Sequence, residues 1–119
     1  MKVFKLININ NTESSFKEGF IKEHKKIAAT HFLFQTDIEK YELTAHPAPR
    51  YQFVITLKGK LKFTVTNGDS FIIEPGIALI ANDLKGIGHT WQILDGDEWQ
   101  RVYILLLPNG EDYFVENDY

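Results

Sequence analysis

The feature that most constrains the fold is a series of short β-forming segments, separated by turn residues, that starts at Tyr51. The runs YQFVITL, LKFTVT, SFII and IALIA are separated by KGK, NGD and EPG, and HTWQIL and WQRVYILLL follow. Short strands with Gly, Asn-Gly and Pro-Gly between them are typical of an antiparallel sandwich or barrel. In LKFTVT, Leu61, Phe63 and Val65 alternate with polar residues, so one face of this strand should be buried. The sequence therefore predicts an all-β fold.

The first half of the chain has a weaker β pattern. KVFKLINI, AATHFLFQTDI and EKYELTA read as strands, whereas NNTESSFKEGFIKEHKK is polar and mixed and predicts a loop with a short helical turn. Pro108 ends the last long strand, and the acidic tail after it is expected to pack its aromatic rings or to fray. A chain of 119 residues fits one domain, residues 1–119, with a core at about 32–107 flanked by the N-terminal strand and the tail.

Composition excludes several classes of function. The chain has no cysteine, which rules out disulfides, thiolate nucleophiles and cysteine-based zinc sites. The net charge of −3 argues against nucleic-acid binding, which usually needs a basic face. No apolar run approaches the roughly 18 residues of a membrane span. The apolar run at the N-terminus is also too short for a signal peptide. These features predict a cytoplasmic protein with no membrane partner.

Two segments combine a histidine with glycines at fixed offsets: TAHPAPRYQFVITLKGK, which holds His46, and GIGH, which ends at His89. Their pattern resembles that of the cupin family, whose members are small jelly-roll barrels (double-stranded β-helices). The first cupin motif reads G-x5-H-x-H-x3/4-E-x6-G and the second G-x5-P-x-G-x2-H-x3-N. In TAHPAPRYQFVITLKGK, His46 falls on the first histidine, Gln52 on the glutamate and Gly59 on the closing glycine. Gly86-Ile-Gly-His89 matches the G-x2-H end of the second motif.

The chain departs from the cupin pattern in several ways: the proline of the second motif is absent, and the loop before Gly86 is two residues longer than in the family. Ala48 replaces the second histidine, Gln52 is an amide where the family has a carboxylate, and Ile93 stands at the asparagine position. The resemblance implies a divalent metal, Zn²⁺, Ni²⁺ or Fe²⁺, bound by His46, Gln52 and His89. Because this set has no anionic ligand, a dication would keep its full charge in a pocket of low dielectric constant. We therefore expect weaker metal binding than at a complete cupin site.

Other residues are candidates for ligand binding. Arg50 could hold an anionic substrate or pair with Glu42 or another surface carboxylate. Three aromatic residues could line a pocket or fill the core: Tyr51, Trp91 and Tyr103. His24 and His31 are expected to be structural or at the surface, and Asp83 and Lys85 to be solvated loop charges.

The motifs leave three functions open. The first is a cupin that binds a small polar or anionic organic ligand at a metal and supports lyase, isomerase or oxygenase chemistry. The second is a metal-free isomerase or epimerase of sugars in which His46 or His89 is the catalytic acid or base, assisted by a tyrosine. The third is a non-enzymatic module that binds a metabolite.

A homodimer is also expected, paired through an exposed sheet edge at the N-terminal strand. Charge asymmetry favours such pairing, because residues 1–60 hold ten Lys and Arg against six Asp and Glu, and residues 61–119 hold three against ten.

Overall fold

A computed structural model describes residues 1–118, and these residues form eight β-strands and one 3₁₀ helix. The strands are β1 (Val3–Asn8), β2 (Ser14–Ile21), β3 (Ala29–Gln35), β4 (Gln52–Thr64), β5 (Ser70–Ile73), β6 (Ala78–Asn82), β7 (Thr90–Leu106) and β8 (Phe114–Glu116). The 3₁₀ helix, Lys40–Leu43, lies between β3 and β4. No α-helix occurs in residues 1–118, so the predicted all-β class is confirmed. Over the same residues, no helical segment has the length and apolar character that a membrane span requires.

All eight strands belong to one sheet. Its order is β3-β7-β4-β6-β1-β2-β8, and β5 pairs with β4 beside this path. Only the β1–β6 pair is parallel among the described strands. Over residues 1–118 the sheet is not closed, because β3 and β8 are its two ends. The predicted edge position of the N-terminal strand is wrong, since β1 is paired on both sides.

The two longest strands, β4 and β7, form the centre of the sheet and change neighbours along their length. The start of β4 pairs with β6 and with the end of β7, whereas its end pairs with β5 and with the start of β7. The sequence predicted a turn at KGK and another at DGDE, but both strands continue through these segments with shifts of register. Gly59, with φ of 122°, lies in the irregular stretch, and a Cβ there would meet the Glu98 carbonyl oxygen. A glycine bulge therefore replaces the predicted turn.

Alternation along the strands produces two apolar clusters, one on each face of the sheet. Leu61, Phe63 and Val65 are buried together, as their alternation predicted. They belong to the larger cluster, with Phe4, Leu6, Val54, Phe71, Ile73, Leu79, Ala81 and Trp99. The smaller cluster holds the neighbours of several of these residues in sequence, namely Val3, Tyr51, Phe53, Ala78, Ile80 and Leu106.

Two local predictions in the first half of the chain are wrong. Residues 10–26 contain strand β2 rather than only a loop, because β1 supplies backbone partners and Phe16 packs on Phe4 and Phe71. EKYELTA contains the 3₁₀ helix rather than a strand, because the Glu42 N–H donates to the Glu39 carbonyl oxygen and the Glu42 carboxylate accepts the Glu39 N–H. The tail forms β8, and its last residue, Tyr119, lies outside the described residues.

Candidate functional site

A small cavity opens on the side of the larger cluster, and we call it the inner cavity. It offers about 30 Å³ to the centres of water-sized molecules, which is room for roughly two waters. His46, Gln52 and His89 line it, together with Glu42, Tyr41 and Tyr103 and with apolar residues of β4, β6 and β7. The three residues that the sequence predicted as metal ligands thus share one cavity.

A backbone bridge brings the two histidines together. The His46 N–H donates to the His89 carbonyl oxygen at 3.1 Å, and the His89 N–H donates to the His46 carbonyl oxygen at 2.9 Å. The centres of the two imidazole rings are 4.9 Å apart. Gly88 has a φ of 82°, and a Cβ on it would collide with the His46 carbonyl group. The glycine of the G-x-G-H motif therefore permits this close approach.

In both histidines the Nδ1 atom has an oxygen partner. His46 Nδ1 is 2.8 Å from the Thr44 carbonyl oxygen, which can only accept, so Nδ1 carries the proton. His89 Nδ1 is 2.7 Å from Oδ2 of Asp83. Within residues 1–118 no hydrogen bond engages Nε2 of either ring. Both Nε2 atoms therefore stay free to act as ligands or as a base.

Gln52 adds an unsatisfied amide to the same cavity. Its side chain is buried, and Oε1 has no hydrogen-bond partner within residues 1–118. A buried carbonyl oxygen without a partner costs roughly 1–3 kcal/mol. Alternation along β4 places Val54 and Thr56 on the same face as Gln52, so the amide lies on the cavity side of the sheet.

Burial shifts the pKa of His46. Desolvation of the half-buried ring lowers its pKa below 6.5, and the neighbouring His89 acts in the same direction. The hydrogen bond to Thr44 opposes this shift but does not outweigh it. The His46 imidazole is therefore neutral at pH 7, the form that binds metals and accepts protons.

A buried ion pair closes one wall of the inner cavity. Arg101 is 1% exposed and Glu42 4%, and Nη2 of Arg101 donates to both oxygens of the Glu42 carboxylate at 3.1 Å. The Tyr103 hydroxyl donates to Oε1 of Glu42 at 3.2 Å, and burial raises the pKa of this tyrosine so that it keeps its proton. The Glu39 N–H donates to Oε2. Both Glu42 oxygens are thus occupied, although the residue lines the cavity.

A second, larger cavity adjoins the first, and we call it the outer chamber. It offers about 220 Å³ to water-sized molecules and shares Tyr41, Pro49, Gln52 and Tyr103 with the inner cavity. Arg50 is exposed on its wall, and within residues 1–118 no hydrogen bond or ion pair engages its guanidinium. The predicted pairing of Arg50 with Glu42 is wrong, because Glu42 is buried against Arg101.

The other predicted residues fall in several places. Trp91 lines the inner cavity and packs edge-on against Trp99, with ring centres 5.0 Å apart. Tyr51 lies in the smaller cluster on the opposite face, where its hydroxyl donates to Asp112 at 2.6 Å, so the structure does not bring it to the cavity. His24 and His31 are exposed, as predicted.

Sequence reasoning missed several residues around the cavity. Glu42 and Arg101 are the clearest cases, together with Trp99. The available signal was the alternation of Trp99, Arg101 and Tyr103 along β7, which places all three on one face. Asp83, predicted as a solvated charge, is 0% exposed.

The donors at the cavity limit what it could bind. Within the described part of the chain, no group of three or more His, Cys, Asp or Glu side chains is placed to hold a metal ion. Any ion in the inner cavity would need a different third donor, and Gln52 is the polar side chain that lacks a partner. Comparisons of the chain with protein-family models, with curated proteins and with solved structures give no match. The geometry of the cavities therefore carries the functional argument.

Proposed function

We propose that this chain is a small cupin-like jelly-roll protein that binds a divalent metal through His46, His89 and Gln52. In this proposal the metal and Arg50 together hold a small polar or anionic organic ligand. The observation that carries the proposal is the state of the two imidazoles. Both Nδ1 atoms are hydrogen-bonded to oxygens and both Nε2 atoms are free at one cavity. Histidine ligands of metals usually have this arrangement.

The spacing of the rings supports a shared ion. With a metal–nitrogen distance of about 2.0–2.1 Å, each ring centre lies about 3.2 Å from the metal. For angles between about 90° and 110° at the metal, the ring centres would then be about 4.5–5.2 Å apart. The observed separation of 4.9 Å lies within this range. The unpartnered Gln52 amide supplies a neutral oxygen donor, which would satisfy its own missing hydrogen bond.

The sizes of the two cavities support a division of roles. The inner cavity has room for an ion and about one small ligand atom, whereas the outer chamber is large enough for the body of a small molecule. The guanidinium of Arg50 matches a carboxylate or phosphate in geometry and charge. A bound metal would supply a Lewis acid at the inner end. Lyase, isomerase and oxygenase reactions are the classes that this arrangement would suit.

Metal content tests the proposal directly. We expect about one Zn²⁺, Ni²⁺ or Fe²⁺ per chain by elemental analysis, with stoichiometric binding lost in His46→Ala and in His89→Ala. The exposed His24→Ala and His31→Ala variants are matched controls and should bind as the wild type does. Absence of metal in the wild type, even after incubation with all three ions, would refute the metal site.

One observation favours a second function, metal-free acid–base catalysis. Asp83 contacts Nδ1 of His89, as a carboxylate does behind a histidine base. In that case His89 would transfer the proton and Tyr103, which lines the same cavity, would assist. Turnover of a substrate by protein shown to be free of metal would favour this function over the first.

A further inference from the structure

Asp83 is a buried carboxylate directly behind His89. It follows β6, and its side chain is 0% exposed. Oδ2 contacts His89 Nδ1 at 2.7 Å and accepts a hydrogen bond from the Ser14 hydroxyl at 2.8 Å. Oδ1 has no hydrogen-bond partner within residues 1–118. In the same part of the chain, His89 is the only basic side chain in contact with this carboxylate.

Asp83 is held in place by the segment around Ala48 and by Ser14, which is in turn bonded to Thr66. Its carbonyl oxygen accepts the Ala48 N–H at 2.9 Å, which ties it to the segment that carries His46. Ser14 is itself fixed, because its backbone N–H donates to the Thr66 hydroxyl and its carbonyl oxygen accepts from the same hydroxyl. The carboxylate therefore has one position relative to the His89 ring.

A purely structural role explains this carboxylate poorly. A buried carboxylate with one unpartnered oxygen is unfavourable, because desolvation penalises its charge and the free oxygen loses its bonds to water. Ser14 is not a nucleophile of a catalytic triad, since its hydroxyl bonds to Asp83 and not to the histidine. A negative charge behind a ligand would, in contrast, compensate a cation in the cavity.

We propose that Asp83 is a positioning residue that fixes His89 with its proton on Nδ1 and supplies the negative charge that His46, Gln52 and His89 lack. The fixed tautomer directs the Nε2 lone pair to the inner cavity. The charge lowers the cost of placing a dication among neutral donors. The first part stands on the geometry of Asp83 and His89 alone, and the second part rests on the proposed metal site.

Two variants separate the two parts of the proposal. Asp83→Asn keeps an oxygen acceptor for Nδ1 but removes the charge, and Asp83→Ala removes both. Asp69→Asn, in the exposed turn before β5, is the matched control for loss of an acidic residue. Imidazole ¹⁵N chemical shifts of the metal-free protein report the tautomer, and calorimetric titration with Zn²⁺ reports metal affinity.

We expect wild-type His89 to carry its proton on Nδ1. Asp83→Asn should keep this tautomer and lose about 10–100-fold in Zn²⁺ affinity, the range found for groups that support metal ligands. Asp83→Ala should lose the tautomer preference as well, and Asp69→Asn should change neither quantity. Ser14→Ala removes one hydrogen bond to Asp83 and is the milder variant if Asp83→Ala fails to fold; it should lower Zn²⁺ affinity in the same direction.

The outcomes distinguish this inference from the proposed function. Wild-type protein that binds none of Zn²⁺, Ni²⁺ and Fe²⁺ would refute the metal site and the charge role, while the tautomer spectra would still decide the positioning role. A wild-type His89 with its proton on Nε2 would overturn the positioning role. Equal Zn²⁺ affinities of wild type and Asp83→Asn would overturn the charge role.

Discussion

At the scale of single residues, Arg101 shows how a buried charge can be fully satisfied. Nε donates to the Tyr103 hydroxyl, Nη1 to the carbonyl oxygens of Trp99 and Thr36, and Nη2 to the Asp37 carbonyl oxygen and Glu42. All five N–H donors of the guanidinium thus have acceptors. Its Cζ atom also lies 4.3 Å from the Trp99 ring centre, at cation–π distance. This one side chain joins β7 to the segment before the 3₁₀ helix.

Removal of the Arg101 charge should be strongly destabilising. We expect Arg101→Met to lower the free energy of unfolding by about 3–5 kcal/mol, because it leaves the Glu42 carboxylate buried without its cation. Urea denaturation measures this change. Arg50→Met is the control, since this exposed residue makes no ion pair within residues 1–118, and it should change stability by less than about 0.5 kcal/mol.

The double variant identifies the cause. Arg101→Met with Glu42→Gln should recover part of the stability lost in the single variant, because the uncompensated charge is gone. Equal losses for Arg101→Met and Arg50→Met would contradict the assignment of Glu42 as a buried anion.

Whether a residue of the site could be predicted depends on how far apart in sequence the interacting residues lie. His46, Gln52 and His89 were predicted from local motifs with turn residues at fixed offsets, and the structure places the three at one cavity. The Arg101–Glu42 pair joins residues 59 positions apart, and Ser14 and Asp83 are 69 apart. Local sequence patterns do not reveal such pairs. Each of these polar residues resembles an ordinary surface residue in the sequence, and its partner becomes a neighbour only when the sheet has formed.

At the scale of elements, Gly88 sets the distance between the segment of His46 and the start of β7. Gly88→Ala should lower both stability and metal binding, because the new methyl group collides with the His46 carbonyl and forces the segments apart. Gly68→Ala is the matched control, since Gly68 also has a positive φ, 93°, but its added Cβ would meet nothing within 4 Å. The control isolates the backbone strain of about 1–2 kcal/mol that both variants share.

Thermal unfolding and Zn²⁺ titration of the two glycine variants provide the comparison. A larger loss of stability in Gly88→Ala than in Gly68→Ala, with Zn²⁺ binding weakened only in the former, is the expected result. Similar behaviour of the two variants would mean that the close approach does not matter for the site.

The C-terminal strand β8 depends on a third buried carboxylate, Asp112. It accepts hydrogen bonds from Lys5 at 2.7 Å and from Tyr51 at 2.6 Å. Burial alone would raise its pKa, but these donors and the Phe114 N–H outweigh burial and lower the pKa below 3.8. A lowered folded-state pKa means that the carboxylate stabilises the fold above about pH 3.8, and that this contribution is lost as pH falls through the folded-state value.

Asp112→Asn should therefore reduce stability at pH 7 by about 1.5–3 kcal/mol, the range for hydrogen bonds to charged groups. The difference from wild type should shrink as pH falls below about 3.8 and should vanish below the still lower folded-state pKa of Asp112, where the folded wild-type carboxyl is protonated too. Urea denaturation between pH 2.5 and 7 measures both free energies. Glu23→Gln, at an exposed position, should follow the wild-type profile, and a difference for Asp112→Asn that is constant with pH would count against the charged state.

Element predictions succeeded where alternation and turn residues agreed. The LKFTVT–NGD–SFII hairpin is one such case, since β4 and β5 pair across Asn67–Asp69. They failed where a glycine signals a bulge instead of a turn, as at Gly59 and Gly96, which both have positive φ inside continuous strands. They also failed for β2, whose burial is partial and alternates weakly. Its pairing with β1 comes from tertiary context.

At the scale of the whole molecule, the two ends of the sheet differ in their exposure to other chains. The β8 end has only three residues, a length that offers little for pairing. The β3 end has seven residues, ATHFLFQ, with no Lys, Pro or acidic residue. Phe32 is 64% exposed and Phe34 71%, with ring centres 5.9 Å apart. An edge strand of this kind is a template for pairing with a second chain.

The expected homodimer should therefore pair β3 with β3 around a two-fold axis, in place of the N-terminal strand that the sequence favoured. Light scattering after gel filtration should give twice the 13.8 kDa chain mass. Phe34→Lys should shift the protein to monomer, because it places like charges opposite each other across the symmetric edge. Ile9→Lys, at a residue that is 57% exposed outside β3, is the control and should remain dimeric.

This dimer would also link assembly to the site. Leu33 and Gln35 lie on the β3 face that lines the outer chamber, opposite to the face of Phe32 and Phe34. A second copy paired along β3 would therefore lie next to the opening of the outer chamber, through which we expect ligand to reach Arg50. Wild-type protein that remains monomeric up to high micromolar concentration, or an Ile9→Lys variant that dissociates as Phe34→Lys does, would contradict pairing at this edge.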